Sequence, residues 1–288
     1  MLTGHVALVS EESKITAGEL AKVAGALSKQ ISRDFGPIWK VNADVAAYER
    51  LEDMPLDYWP IIIKDDIGDP NAAGYHEDKH GQPFSLVQYD ASWSLTASHE
   101  CLEMLADPFG RRVIAGESPV SGQGRVNFLV EVCDPCEASD FAYTINGIQV
   151  SDFFTPNFFD PIASTGVRYS YTGALTAPRQ VLKDGYLSWF VPALNQWWQR
   201  SWFDGGKPSD GAIKNFNLSG TNVRAAIDRL TEAARAEAIA KASTSSKLMA
   251  KSVKMRGKAQ DPFAGRADSL RLAIREVSGK PKQSPRTK

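Results

Sequence analysis

The stretch Ser98-His99-Glu100-Cys101-Leu102-Glu103-Met104-Leu105-Ala106-Asp107-Pro108 decides how this chain is read. Its core is HExxExxxD. An acidic residue stands four positions after the histidine, where the zinc-hydrolase signature HExxH carries a second histidine. With His99 at the origin of a helical wheel, Glu103 falls at about 40°, Asp107 at about 80° and Glu100 at about 100°. Leu95, Ala97, Cys101, Leu102, Met104, Leu105 and Ala106 fill the rest of the circle. The spacing predicts a largely buried helix over 95–106, ended by Pro108. One imidazole and three carboxylates would then share one stripe. Burying them without a partner costs several kcal/mol, on the order of the penalty for desolvated charges. A bound dication removes that cost and favours the ionised form of its ligands.

A literal HExxH also occurs, at His76-Glu77-Asp78-Lys79-His80. It has no apolar face, Gly74 and Gly81 bracket it, and Pro83 follows. This reading places 65–82 in a polar loop solvated on every side, unable to aim both imidazoles at one point. His76 is kept only as a supplementary ligand or substrate contact. The shell of His99 and Glu103 needs a third protein ligand. Asp107 lies on the same stripe two turns away. Glu131 lies in the apolar run Val126-Asn127-Phe128-Leu129-Val130-Glu131-Val132, where a carboxylate needs a partner. The ordinary alternative is a salt bridge, with Arg111 or Arg112 facing the stripe. Cys133-Asp134-Pro135-Cys136 is read as two structural cysteines at a turn, since one CxxC pair does not make a zinc site.

Around the motif the pattern is α+β. His5–Ser10 reads as a strand. Thr16 and Glu19 form a capping box that opens a helix with Leu20, Val23, Leu27, Ile31 and Phe35 on one face, stopped by Gly36-Pro37. Strands follow at 39–45, 59–64, 84–89 and 126–132. Asn146-Gly147 marks a hairpin over 143–150, and Lys183-Asp184-Gly185-Tyr186 a second hairpin turn. Residues 153–203 form an aromatic, β-rich extension. The expected organisation is a domain over 1–205, a linker and Ala-rich helix over 206–242, and a basic, disordered tail over 243–288.

Composition is that of a soluble globular protein, 43% hydrophobic and 23% charged. No transmembrane run or signal peptide is seen, which points to the cytoplasm. Three cysteines make no disulfide framework. The formal net charge of −1 hides an asymmetry, because residues 241–288 carry 13 Lys/Arg against 3 Asp/Glu. Such a tail is either a solubilising end or an arm for a polyanion such as nucleic acid.

The segment from Ser98 to Gly110 resembles the HExxExxxDP(F/Y)G segment of zincin-like metallopeptidases of bacteria. Gly74-Tyr75-His76, Pro83-Phe84, Val130 to Pro135, Ser151-Asp152-Phe153 and Pro156 are similar to the flanks of that group. A more distant similarity runs to the Exordium-like proteins. The resemblance covers roughly residues 5–205. It implies a zincin-like α+β fold: a mixed sheet, a backing helix and a motif helix. It implies one Zn2+ held by His99 and Glu103, with Glu131 or Asp107 as third ligand and Glu100 as general base. The expected function is therefore a zinc-dependent hydrolase, a metallopeptidase acting on a peptide or protein substrate. The competing expectation is a non-catalytic interaction protein on the same scaffold, with a polyanion-binding tail.

Overall fold

The computed structural model describes residues 4–69, 72–203, 206–218 and 222–245. The chain begins with β1 (Gly4–Ser10) and α1 (Ala17–Lys29), and Thr16 caps α1 by accepting the Glu19 N–H. A π-helical segment, Gln30–Phe35, and a short α2 (Gly36–Trp39) continue the same helical rod. Gly36-Pro37 therefore does not stop the helix. Proline lacks only an N–H that the first turn leaves unpaired, and the rod ends instead at Lys40, in the left-handed region.

β2 (Ala43–Tyr48), β3 (Trp59–Lys64), β4 (Gly74–Lys79) and β5 (Gln82–Gln88) complete a first sheet in the order β2-β1-β3-β5-β4. All neighbours are parallel except the edge strand β4, which runs antiparallel to β5. The stretch 74–79, expected as a solvated loop, is thus the edge strand itself. Pairing with β5 through a turn at His80-Gly81, both at positive φ, supplies the order that hydropathy lacks. Strand alternation sends His76 fully inward. His80 sits in the turn, so the HExxH pair cannot converge.

The motif helix α3 (Trp93–Ala106) follows and packs on β3, β4 and β5. Its position is fixed by a buried hydrogen-bond chain. Ser98 Oγ donates to Gln30 Oε1 at 2.8 Å and accepts from Ser151 N–H at 2.9 Å, while Gln30 Nε2 donates to the Ser151 carbonyl at 2.9 Å. The helix is bracketed by partners from both halves of the chain.

The aromatic extension is a second, antiparallel sheet. β6 (Val113–Glu117), β7 (Arg125–Leu129), β10 (Tyr186–Val191), β11 (Gln196–Ser201) and β12 (Ser209–Ala212) lie in the order β12-β11-β10-β7-β6, and β8 (Tyr143–Ile145) pairs β9 (Ile148–Val150) across the expected Asn146-Gly147 turn. Lys183–Tyr186 turns the chain but joins no hairpin, since β10 pairs β11 through the Pro192–Asn195 turn. Phe35, Trp39, Phe153, Phe154 and Phe158 join the two sheets in one core. The buried Asp34 carboxylate accepts from Tyr143 Oη at 2.9 Å, Tyr171 Oη at 2.7 Å and the Arg33 guanidinium. Asp34→Ala strands two buried hydroxyls. It should lower unfolding free energy by about 2–4 kcal/mol in urea titration, from penalties of roughly 1–3 kcal/mol per orphaned group; a change within error would remove Asp34 as the joint.

β12 adds to the second sheet, and α4 (Val223–Ser245) returns to the first, lying beside β4. The segment expected as linker plus helix is therefore built into the fold. The expected disordered tail lies, beyond Ser245, outside the described residues. No helix among the described residues is long and apolar enough to cross a membrane.

Candidate metal centre

His99, Glu100 and Glu103 leave α3 on the stripe that the wheel predicts; His99 and Glu100 line a cavity of about 360 Å³ between β4, α3, α4 and the turn at Asp134–Cys136, and Glu103 is fully buried beside them. His99 Nε2 lies 3.2 Å from Glu103 Oε2 and 3.2 Å from Asp134 Oδ1. Glu103 Oε1 accepts the Cys133 backbone N–H at 3.0 Å, which fixes the carboxylate against the turn that carries Asp134. Glycine makes two of these approaches close. A Cβ at Gly185 would stand 2.5 Å from the Asp134 carbonyl, and one at Gly74 would stand 2.7 Å from Thr96 and 3.1 Å from Glu100 Cγ.

The second acid beside His99 is Asp134, inside the CxxC turn. Asp107 does not join it. Its Oδ2 accepts the Arg112 N–H at 2.6 Å beyond the helix end, and its carbonyl accepts from His76 Nε2 at 3.0 Å. The cause is geometric, since the helix ends at Ala106 and Asp107 leaves the stripe with non-helical φ −139° and ψ 74°. Glu131 stands past the end of β7 and close to Glu103 and Asp134, but Arg224 Nε takes its Oε2. Cys133 Sγ is a further donor beside His99 and Glu103.

Arg224, on α4, is the residue that sequence reading missed. It is 2% exposed. Its Nη2 lies 2.6 Å from Glu103 Oε2 and 3.4 Å from Glu100 Oε2, and its Nη1 lies 3.2 Å from Asp228 Oδ2. The expected salt-bridge partners were Arg111 and Arg112. Arg112 instead donates to the Ala106 carbonyl and stacks over Trp39. The only local signal for Arg224 was Asp228 one helical turn later.

Protonation follows these contacts. Burial alone would lower the His99 imidazole, but Glu103 and Asp134 overcome it and hold it well above the usual histidine range. Burial opposes ionisation of Glu103, yet His99 and Arg224 keep it well below the usual carboxylate range. Burial, then the Glu103 charge, pushes Asp134 well up. Burial likewise pushes Glu131 up against the pull of Arg224. Several buried polar atoms find no hydrogen-bond partner among the described residues: Asp134 Oδ2, Glu131 Oε1, Glu100 Oε2 and His76 Nδ1. Since the Asp107 carbonyl can only accept, His76 Nε2 carries a proton and its Nδ1 faces Glu100 Oε2 at 3.5 Å.

Four overlapping groups among the described residues each bring three donor atoms within 4.8 Å of one another and could hold a metal ion: His99–Glu103–Cys133, His99–Asp134–Glu137, Glu103–Glu131–Asp134 and His76–Glu100–Glu103. No protein-family model matches this sequence, and no curated protein or solved structure matches it at a significant level.

Proposed function

We propose that this chain is a zinc-dependent hydrolase of zincin type acting on peptide bonds, with His99, Glu103 and Asp134 as ligands and Glu100 as general base. The observation that carries it is the pair of 3.2 Å separations from His99 Nε2 to the two carboxylates. Ligands about 2.0–2.1 Å from a tetrahedral ion stand about 3.3–3.4 Å apart. The buried Asp134 Oδ2 makes no hydrogen bond among the described residues, which leaves that carboxylate a free lone pair beside His99. A mixed sheet whose antiparallel edge strand β4 packs beside the motif helix also agrees with the zincin resemblance.

A zinc ion at this point would supply Lewis acidity toward a water and a substrate carbonyl. The chain's own part is then clear. Glu100, one residue on from His99, lines the cavity and can take a proton from the attacking water and pass it to the leaving amine. Arg224 pairs with Glu103 and Glu100 and holds both carboxylates in place. Gly74 lets the edge strand approach Glu100 without a side chain between them.

Elemental analysis tests the proposal. The purified full chain should carry about one equivalent of zinc, as one closed donor set implies. His99→Ala and Asp134→Asn should lose it, and Asp107→Asn should keep it. Because the metal must displace protons from His99 and Asp134, uptake should release protons, and affinity should fall as pH is lowered through the raised His99 pKa. Calorimetry in two buffers of different ionisation enthalpy reads this directly. Uptake without proton release would contradict the ligand set.

One observation favours a second reading. Arg224 already places a cation among Glu100, Glu103 and Glu131, so the acidic stripe could be balanced without metal. On that reading the chain is a non-catalytic protein on the same scaffold, with its basic tail engaging a polyanion. A protein free of zinc after preparation without chelators, and unable to bind it, would decide for this alternative.

A further inference from the structure

We propose that the Cys133 thiolate is a ligand of the same ion, so that the centre is a mixed imidazole, carboxylate and thiolate site that takes zinc in preference to manganese. This rests on the metal-binding part of the hydrolase reading above and adds a ligand that the HExxExxxD stripe does not contain.

The cysteines of this chain are not alike. All three are free and buried. Cys101 lies in the core on α3, and Cys136 closes the short turn Asp134–Cys136. Neither belongs to a group of three metal donors among the described residues. Cys133 does. Its Sγ, a His99 ring nitrogen and a Glu103 carboxylate oxygen lie within 4.8 Å of one another. A tetrahedral zinc holds a thiolate sulfur about 3.5–3.6 Å from an imidazole nitrogen or a carboxylate oxygen, given bonds of about 2.3 Å and 2.0–2.1 Å. The spread therefore closes by little more than about 1 Å at most. The backbone already sets this approach. The Cys133 N–H donates to Glu103 Oε1 at 3.0 Å, and Glu103 Oε2 lies 3.2 Å from His99 Nε2, so one carboxylate ties the cysteine to the imidazole. Cys133 Sγ itself lies 3.8 Å from the His99 carbonyl.

A second observation points to a cation at this place. Asp134, the next residue, is 1% exposed, and its Oδ1 lies 3.2 Å from His99 Nε2, while its Oδ2 makes no hydrogen bond among the described residues. A dication held by Cys133, Asp134, His99 and Glu103 gives that oxygen a partner. It also takes the place of the thiol proton, which leaves to solvent as the sulfur–metal bond forms. Four protein donors are the count of a closed site, and the cavity lined by His99 and Asp134 leaves room for a water as a fifth. Sulfur is the donor that decides the metal. A soft thiolate favours zinc, whereas carboxylates alone suit manganese as well.

The test loads the full chain with cobalt(II), which takes up zinc sites, under oxygen-free conditions and reads its absorption spectrum. Thiolate ligation gives an intense near-ultraviolet sulfur-to-cobalt charge-transfer band that nitrogen and oxygen donors do not give. The wild type should show the band at about one equivalent, as one donor set implies. Cys133→Ser should lose it, and Cys136→Ser should keep it. X-ray absorption of the zinc-loaded wild type needs no variant and should find one sulfur at about 2.3 Å from the metal. Competition with a chromogenic chelator should show Cys133→Ser binding zinc at least about tenfold more weakly, the lower end of the loss caused by removing even an outer-shell partner, with manganese affinity little changed. About one bound metal with neither the band nor a sulfur neighbour would overturn this inference and leave the zinc reading standing. A band kept in Cys133→Ser and lost in Cys136→Ser would overturn it as well. A wild type that binds neither cobalt nor zinc would overturn both.

Discussion

Glu100→Gln is expected to lower peptide hydrolysis by about 10²–10⁴-fold, the range for loss of a positioned general base, while bound zinc stays at about one equivalent. The substitution changes charge but not shape. Glu100 lies on the opposite side of the stripe from the His99–Asp134 contact, with Oε2 near His76 Nδ1 and Arg224 Nη2. An amide there can still meet both neighbours but cannot accept a proton from water at neutral pH. The two readouts separate the roles. Activity equal to wild type would remove Glu100 as the base. Loss of zinc together with activity would make Glu100 a ligand, consistent with its closeness to His76 and Glu103. KM should change little, since Glu100 is one of many groups in the cavity.

Arg224→Met should destabilise the fold by about 3–5 kcal/mol, the cost of breaking a buried ion pair by removing one partner. Its guanidinium bridges Glu131, Glu103 and Asp228, and none of the three is exposed beyond 17% of its side chain. Without it, three carboxylates face one another in a dry corner. Urea denaturation gives the magnitude. A double-mutant cycle with Glu131→Gln gives the mechanism, because the pair should cost less than the sum of the single changes. Arg224→Lys keeps the charge but loses the fork, and should recover only part of the loss. A Met variant within about 0.5 kcal/mol of wild type, the span typical of surface changes, would show that the cluster carries its charge without Arg224.

The same two residues show what could be read early. Glu100 was legible because a helix is a local object. The 100° step fixes where i, i+1 and i+4 point, so His99, Glu100 and Glu103 could be placed on one stripe before any contact was known. The strands expected at 5–10, 59–64 and 84–89, which lie at 4–10, 59–64 and 82–88, and the hairpin over 143–150 are visible for similar local reasons: apolar runs, β-branched residues and an Asn-Gly turn. The edge strand was not. Gly74–Lys79 is polar and looks like loop, and its order comes from hydrogen bonds to β5. Edge strands are commonly polar because charge there discourages pairing with other chains. That same strand decides the HExxH question. His76 is buried by alternation and His80 is turned away.

The third ligand was out of reach from sequence. Asp107 looked apt because an ideal wheel keeps turning, but the helix ends one residue earlier. Glu131 looked apt because a carboxylate in an apolar run needs a partner, and the partner it finds is Arg224, from a helix that begins more than 90 residues later. Asp134 carries no local signal between its two cysteines, and only the packing of that turn on Gly185 and on Glu103 brings it to His99.

The sequence alone determined the stripe: which side chains of α3 face one way, that this face is acidic, and that burying it calls for a cation. It could do so because helix geometry is set by residues within two turns. Tertiary structure alone decided what answers that charge. Asp134, Arg224 and the acidic wall of the cavity come from distant parts of the chain, and their meeting depends on the long-range sheet and core contacts that no local pattern encodes.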